Sequence, residues 1–228
     1  MMRKASDRQV AHDLIAFDVD GTLVGHPEGK VVWELLNHHF GGDGTVNRRR
    51  FDAFRGGHIT YAEWVDLDVE GWLAARATRA QIANVILEQL SLMAGVAETL
   101  AELRGRGYRL AIISGTLDLT LELLLGDHAF DAVFANRIWF DRRGYIEGWA
   151  ATPFDMAGKA LALRHLCQTL AVPLERTVFV GDNVNDLDAM RTAGLAVAYE
   201  PKHGEVEAAA RHVIHSDLRR LLALLETA

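Results

Sequence analysis

The sequence predicts an α/β protein: a doubly wound parallel sheet with a small all-α segment inserted into it. Three observations predict it. Short apolar runs at residues 14–17, 110–113 and 177–180 each stop at a polar loop, as strands buried on both faces do. From Val96 onward helical and strand patterns alternate, the signature of parallel strands joined by crossover helices. Between the first and second of those strands the apolar spacing is helical throughout.

Taken in order, Leu14-Ile15-Ala16-Phe17 is the first strand, closed by the turn-forming Asp20-Gly21 step. Val32, Trp33, Leu35, Leu36 and Phe40 recur at helical spacing, and glycine-rich 41–44 ends that helix. Residues 46–55 give a shorter helix, broken at Gly56-Gly57. Thr60 and Glu63 have capping-box spacing ahead of a stripe of Trp64, Val65, Trp72 and Leu73. Thr78 and Gln81 repeat that spacing before Ile82, Val85, Ile86 and Leu90. Residues 97–103 are helical up to Gly105 or Gly107, 108–114 form a strand, 118–125 a helix and 132–135 a strand. Residues 138–140 and 145–149, joined by Asp141-Arg142-Arg143-Gly144, read as a projecting hairpin. A helix at 159–170 stops before Pro173. Then come a strand at 178–180, a short helix from Asn185, strands at 195–198 and 213–214, and an amphipathic helix at 217–226. The expected division is a discontinuous core, 1–24 and 92–228, and a helical subdomain, 25–91.

Composition narrows the function classes. At 228 residues, 50% hydrophobic, the chain can bury a substantial core. A net charge of −7 offers no basic stripe to nucleic acid or an anionic membrane, and Arg48-Arg49-Arg50 reads as a solvated helix face. Cys167 is the single cysteine, so no internal disulfide forms. It reads as a packed small hydrophobe, and a reducing cytoplasm is the expected location. Residues 1–13 have no apolar core of a signal peptide, and no run of about 18 apolar residues is present to span a bilayer. His38-His39 point to different helix faces and cannot chelate one metal. Trp33, Trp64 and Trp72 are expected in the core of the helical segment rather than against substrate.

Chemistry enters where the strands stop. Asp18 and Asp20 sit at the end of the first strand, where both carboxylates turn toward a pocket at the sheet's carboxyl edge. One suits a nucleophile or metal ligand, the other an acid/base for the same reaction. Ser114-Gly115 ends the second strand and offers a hydroxyl and backbone N–H groups to an oxyanion. Lys159 opens a helix, and the third strand delivers Gly181-Asp182-Asn183-Val184-Asn185-Asp186.

These segments together resemble the haloacid dehalogenase superfamily of phosphohydrolases, in its phosphoserine phosphatase-like branch. Asp18-Val19-Asp20-Gly21-Thr22 matches the first motif, Ser114-Gly115 the second, Lys159 the third and Gly181-Asp182-x-x-Asn185-Asp186 the fourth. Phe134-Ala135-Asn136-Arg137 and the hairpin before Lys159 strengthen the likeness to that branch. The resemblance covers the core and is nearly silent over 25–91. It implies a Rossmann-like core with a helical cap and a Mg²⁺-dependent phosphomonoesterase for a small metabolite ester. Asp18 is then the nucleophile and Asp20 the acid/base. Asp18, the Asp20 carbonyl and Asp182 are Mg²⁺ ligands, with Asp186 behind them holding Lys159 or a water. Ser114, Gly115, Lys159 and Asn185 bind the phosphoryl group. Two alternatives stand beside this: a phosphotransferase or mutase using the same aspartyl-phosphate, and a non-catalytic phospho-ligand module. The branch pairs an acid and an arginine to clamp phosphoserine. Glu28 supplies an acid, but the register puts Asp68 in place of the arginine, within an acidic cluster of Asp66, Asp68 and Glu70. That predicts poor handling of a carboxylate-bearing ester unless Arg55 or Arg76 takes the clamp position. Phosphoethanolamine or phosphocholine would suit the cluster better, and a sugar phosphate stays open.

Overall fold

A computed structural model of the chain describes residues 12–41, 44–126 and 128–227. The expectations for residues 1–11 and for Gly42-Asp43 lie outside these. In chain order, β1 (Leu14–Phe17) and the short β2 (Val24–Gly25) lead into four helices, α1 (Val32–Gly41), α2 (Val46–Arg55), α3 (Tyr61–Ala74) and α4 (Arg79–Gln89). The short β3 (Ser91–Leu92) returns antiparallel to β2. There follow α5 (Val96–Gly105), β4 (Arg109–Leu117), α6 (Asp118–Leu125), β5 (Ala132–Phe140), β6 (Ile146–Ala150) and α7 (Lys159–Leu170). The chain then continues through β7 (Thr177–Gly181), α8 (Leu187–Thr192), β8 (Leu195–Tyr199), α9 (Gly204–Ala209), β9 (His212–Ile214) and α10 (Arg220–Thr227).

The main sheet has the order β6-β5-β4-β1-β7-β8-β9, parallel throughout except for β5 with β6. Alternation along the strands divides the core. Ile15, Phe17, Leu110, Ile112, Val178 and Val180 pack on one face; Leu14, Ala16, Ala111, Ile113 and Phe179 pack on the other. Both faces are covered, which is why these strands read as unbroken apolar runs. Each of the valine, leucine, isoleucine and phenylalanine side chains removed from water contributes roughly 1.5–3 kcal/mol.

Three features differ from expectation. β5 runs without a break through both predicted strand segments, pairing with β4 in its first half and β6 in its second, so the hairpin extends the sheet edge. The two-residue β2 and β3 are too short to show a period. α9 buries only Val206, so its sequence carries no apolar stripe.

The inserted helices start where their sequence signals place them. The Thr60 side chain accepts from the Glu63 amide, and Thr78 does the same for Gln81, each completing a capping box. Inside, Trp72 is fully buried, donates to Asn37 Oδ1 at 2.8 Å and packs against Trp33 with ring centroids 5.2 Å apart. Cys167 is buried among apolar side chains, as expected.

Candidate active site

The register of the three central strands builds the site. Phe17 lies beside both Ile112 and Val180, so Asp18, Ser114 and Asp182 emerge at one edge of the sheet. The Asp18 amide donates to the Val180 carbonyl at 2.9 Å, anchoring the nucleophile candidate to the neighbouring strand. β4 continues past Ser114 and Gly115 rather than ending there, but its pairing with β5 is interrupted between Ile113 and Leu117. Gly21, at φ +97°, turns the chain after Asp20; a Cβ there would overlap the Asp182 carboxylate and the Lys202 ammonium.

Lys159, at the start of α7, is 1% exposed and bridges two carboxylates, 2.8 Å from Asp18 Oδ1 and 2.7 Å from Asp186 Oδ1. Burial works against its charge, but Asp18 and Asp186 outweigh that and hold its pKa above the ordinary lysine value. The second oxygen of Asp186 accepts the amides of Asp182 and Asn183, each at 3.0 Å. Asp182 is fully buried, with Thr22 Oγ1 3.4 Å from Oδ1 and Lys202 Nζ 2.8 Å from Oδ2. Asp20 is pushed up to about 7 by burial and by the neighbouring Asp18 charge. Burial and Asp18 also raise Asp182; burial raises Asp186 despite the opposing Lys159.

The donor set fits a hard divalent cation. Asp18, Asp182 and Asp186 each present an oxygen, and these atoms lie within 4.8 Å of one another. Asp182 Oδ2 is buried and receives no hydrogen bond of good geometry, whereas both Asp186 oxygens are taken by Lys159 and by amides. Four carboxyl groups, Asp18, Asp20, Asp182 and Asp186, gather around two ammonium groups, Lys159 and Lys202.

A seam joins the helical segment to the core at Gly115. The Gly115 carbonyl accepts from Trp33 Nε1 at 2.7 Å and from Asn136 Nδ2 at 2.6 Å. The N–H of the same peptide unit, that of Thr116, donates to Ser114 Oγ at 3.2 Å. One peptide plane thus links the seating of α1 to the orientation of the Ser114 hydroxyl. Asn136 also donates to the Tyr61 hydroxyl at 2.7 Å and accepts the Thr152 amide at 2.8 Å. Trp72 is bundle core as expected, whereas Trp33 is a seam residue. Asn185 donates to Asp155 Oδ1 at 3.1 Å, and Tyr61 also hydrogen-bonds Asp155. Asp155 and Lys202 escaped the sequence reading, and Asn136 entered it only through the resemblance, without a role at the site. Asp155 stands four residues before Lys159 and Lys202 in the loop after β8, where the rule that ligands bind at strand carboxyl ends pointed.

The acidic cluster does not hold together. Asp68 is 1% exposed and ion-paired with Arg50 inside the helical segment. Asp66 accepts from Trp149 Nε1, and Glu70 is exposed. Residues two apart on a helix face different directions, which the register argument overlooked. The basic run likewise divides: Arg48 pairs with Asp52 at the surface, whereas Arg50 turns inward to Asp68. Glu28 pairs with Lys30 at the surface. Arg55 and Arg76, both exposed, lie over the rings of Phe51 and Tyr145.

Comparison with known proteins places this geometry. A family model described as haloacid dehalogenase-like hydrolase matches residues 12–194. Phosphoserine phosphatase SerB2 of Mycobacterium tuberculosis is 35% identical over 213 residues, 93% of this chain and 50% of its own. The Streptomyces coelicolor phosphoserine phosphatase is 31% identical over 87% of this chain and 47% of its own, so the chain spans about half the length of these two relatives. The Methanocaldococcus jannaschii phosphoserine phosphatase is 29% identical and is covered over 97% of its length. In fold, the chain is similar to a solved phospho-aspartyl intermediate analogue of phosphoserine phosphatase, with TM-score 0.72 and 24% identity over 93% of this chain and 98% of that one. Among the described residues no helix is long and apolar enough to cross a membrane.

Proposed function

The chain belongs to the haloacid dehalogenase-like hydrolases, and from that premise we propose that it is a Mg²⁺-dependent phosphomonoesterase working through an aspartyl-phosphate on Asp18. The observation that carries the reading is the Lys159 bridge: a buried ammonium 2.8 Å from Asp18 Oδ1 and 2.7 Å from Asp186 Oδ1, at the carboxyl end of the central strand.

A phosphate monoester resists attack because the nucleophile meets negative oxygens; the site must offset that charge, align the nucleophile and protonate the leaving oxygen. An Asp18 oxygen forms a bond to phosphorus as the ester P–O bond breaks, leaving an acyl-phosphate. Asp20, raised to about 7, still carries a proton near neutral pH and gives it to the departing alkoxide. Its carboxylate then takes a proton from the water that attacks the acyl-phosphate, which releases inorganic phosphate and restores Asp18. Lys159 offsets charge on Asp18 and the transferring group, while the Ser114 hydroxyl, set by the Thr116 amide, donates to a phosphoryl oxygen. Asp18, Asp182 and the Asp20 carbonyl would hold Mg²⁺, whose chemistry when bound would be further neutralisation of phosphoryl charge.

Residues 25–91 act as the cap in this reading. Asp18, Ser114, Lys159, Asp182 and Asp186 are all buried, so substrate entry requires the seam at Trp33 and Tyr61 to part and product release requires it to part again. Asp68 pairs with Arg50 and presents no free acid to a substrate carboxylate. Phosphoserine, the ester in the relatives' names, is therefore our first candidate, ahead of phosphoethanolamine, phosphocholine and a sugar phosphate.

The test is a panel of phosphate monoesters assayed for phosphate release with Mg²⁺ and with excess EDTA. The expected result is turnover of a small ester that EDTA abolishes. Unchanged turnover in EDTA, or phosphoryl transfer to an added alcohol in place of release to water, would overturn the reading.

A further inference from the structure

We propose that Lys202 is a built-in counter-cation of the divalent-metal site: its ammonium holds Asp182 when the ion is absent, opposes the ion's binding, and turns to the phosphoryl group once the ion is bound. The inference rests on the metal-dependent reading above and adds a residue to it.

The loop that carries Lys202 is constructed to put it there. β8 ends at Tyr199, and Glu200 follows in the left-handed region at φ +45°, a conformation strained for a residue with a Cβ. That turn is pinned from both sides. The Glu200 amide donates to the Ile214 carbonyl at 3.0 Å, and its carboxylate accepts the Ser216 amide. Two residues on, the Lys202 amide donates to the Asp182 carbonyl at 2.9 Å. Lys202 is thus tied to Asp182 through its backbone as well as through its side chain, whose Nζ lies 2.8 Å from Oδ2. Gly21 leaves the space: with any larger residue there, a Cβ would overlap both members of the pair.

The contact has the marks of a placeholder. The Lys202 ammonium occupies Asp182 Oδ2 from 2.8 Å, on the carboxylate that a divalent ion would need. Lys159, by contrast, is 1% exposed and hydrogen-bonds Asp186 at 2.7 Å. The Lys202 side chain is 32% exposed, with a flexible stem and room to swing. A divalent ion needs the same Asp182 oxygens, and two cations cannot share one small anionic site without mutual repulsion. When the ion takes Asp182, the displaced ammonium stays within the field of Asp18 and Asp20, beside the place where a phosphoryl group adds negative charge.

The experiment measures Mg²⁺ binding by isothermal titration calorimetry on the metal-free protein without substrate. It compares parent, Lys202→Met and Lys202→Arg, and then repeats the titration of inorganic phosphate at saturating Mg²⁺. Removing a cation from the ion's immediate surroundings should tighten Mg²⁺ binding of Lys202→Met by about tenfold or more. Phosphate binding to that variant should weaken by about tenfold, as for loss of one charge-assisted contact. Lys202→Arg, which keeps the charge, should bind Mg²⁺ within about threefold of the parent. Unchanged or weaker Mg²⁺ binding by Lys202→Met would overturn the proposal, because Lys202 would then be supporting the site. Tighter Mg²⁺ with unchanged phosphate affinity would overturn the turn toward phosphate. A parent protein that binds no Mg²⁺ would instead remove the metal-dependent reading itself.

Discussion

Substituting Arg50 with methionine leaves the Asp68 carboxylate buried without its cation, and the cost follows from the geometry. Asp68 is 1% exposed, and burial already pushes its carboxyl above the ordinary value, with Arg50 the main opposing influence. Removing one partner of a fully buried pair costs roughly 3–5 kcal/mol. The Arg50 side chain is 22% exposed, so solvent screens the pair and about 2–3 kcal/mol is the better figure. For a chain of this size that lowers Tm by about 5–10 °C. The assay is calorimetric unfolding at neutral pH of Arg50→Met, Asp68→Asn and the double variant. The double variant buries no lone charge, so it should recover most of the loss, with a coupling of about 2 kcal/mol. Since Asp68 faces Arg50 and not substrate, Asp68→Asn should also leave the ratio of kcat/KM for phosphoserine and phosphoethanolamine within about threefold of the parent. A Tm for Arg50→Met within about 1 °C of the parent, or simple addition of losses in the double variant, would refute the reasoning.

Three further outcomes are expected. Asp20, Asp182 and Asp186 are all raised, so between the ordinary carboxylate value of 3.8 and about 7 the folded metal-free protein binds more protons than the unfolded chain; its Tm should therefore fall as pH rises through that window, and Asp20→Asn should flatten the fall. Trp33→Phe keeps an aromatic ring but removes one of the donors on the Gly115 carbonyl, worth about 0.5–1.5 kcal/mol, so Tm should fall by about 1–6 °C and kcat/KM by about 2–10-fold; unaltered kinetics would detach the seam from the chemistry. Asp182→Asn should raise the Mg²⁺ concentration for half-maximal activity by at least about tenfold, read from a metal titration; an unchanged curve would remove Asp182 as a ligand.

The core of this site was legible in the sequence because strand ends are legible. An apolar run that stops at Asp18 or at Asp182 announces both the strand and its carboxyl edge, and the parallel register then brings those acids together. Helix starts at Thr60 and Thr78 were equally plain, since capping is local chemistry. What failed was orientation within the inserted helices. Asp66 and Asp68 are two apart, yet one reaches the Trp149 indole and the other, buried, reaches Arg50, a partner 18 residues away. Long-range partners of this kind leave no trace in local spacing. The same holds for Trp33, whose indole finds a carbonyl 82 residues on, and for Lys202, whose importance comes from a strained turn and a neighbouring strand.

The central claim, a covalent intermediate on Asp18, is tested most directly by trapping it. Protein mixed with a turned-over ester and Mg²⁺ is quenched in acid within the first turnovers, digested, and searched by mass spectrometry for a phosphorylated peptide. The account predicts a base-labile phosphoryl group on Asp18, absent from Asp18→Asn, whose turnover falls by at least ~10⁴-fold. A label on any other residue, or an Asp18→Asn protein that keeps activity within about tenfold of the parent, would contradict it.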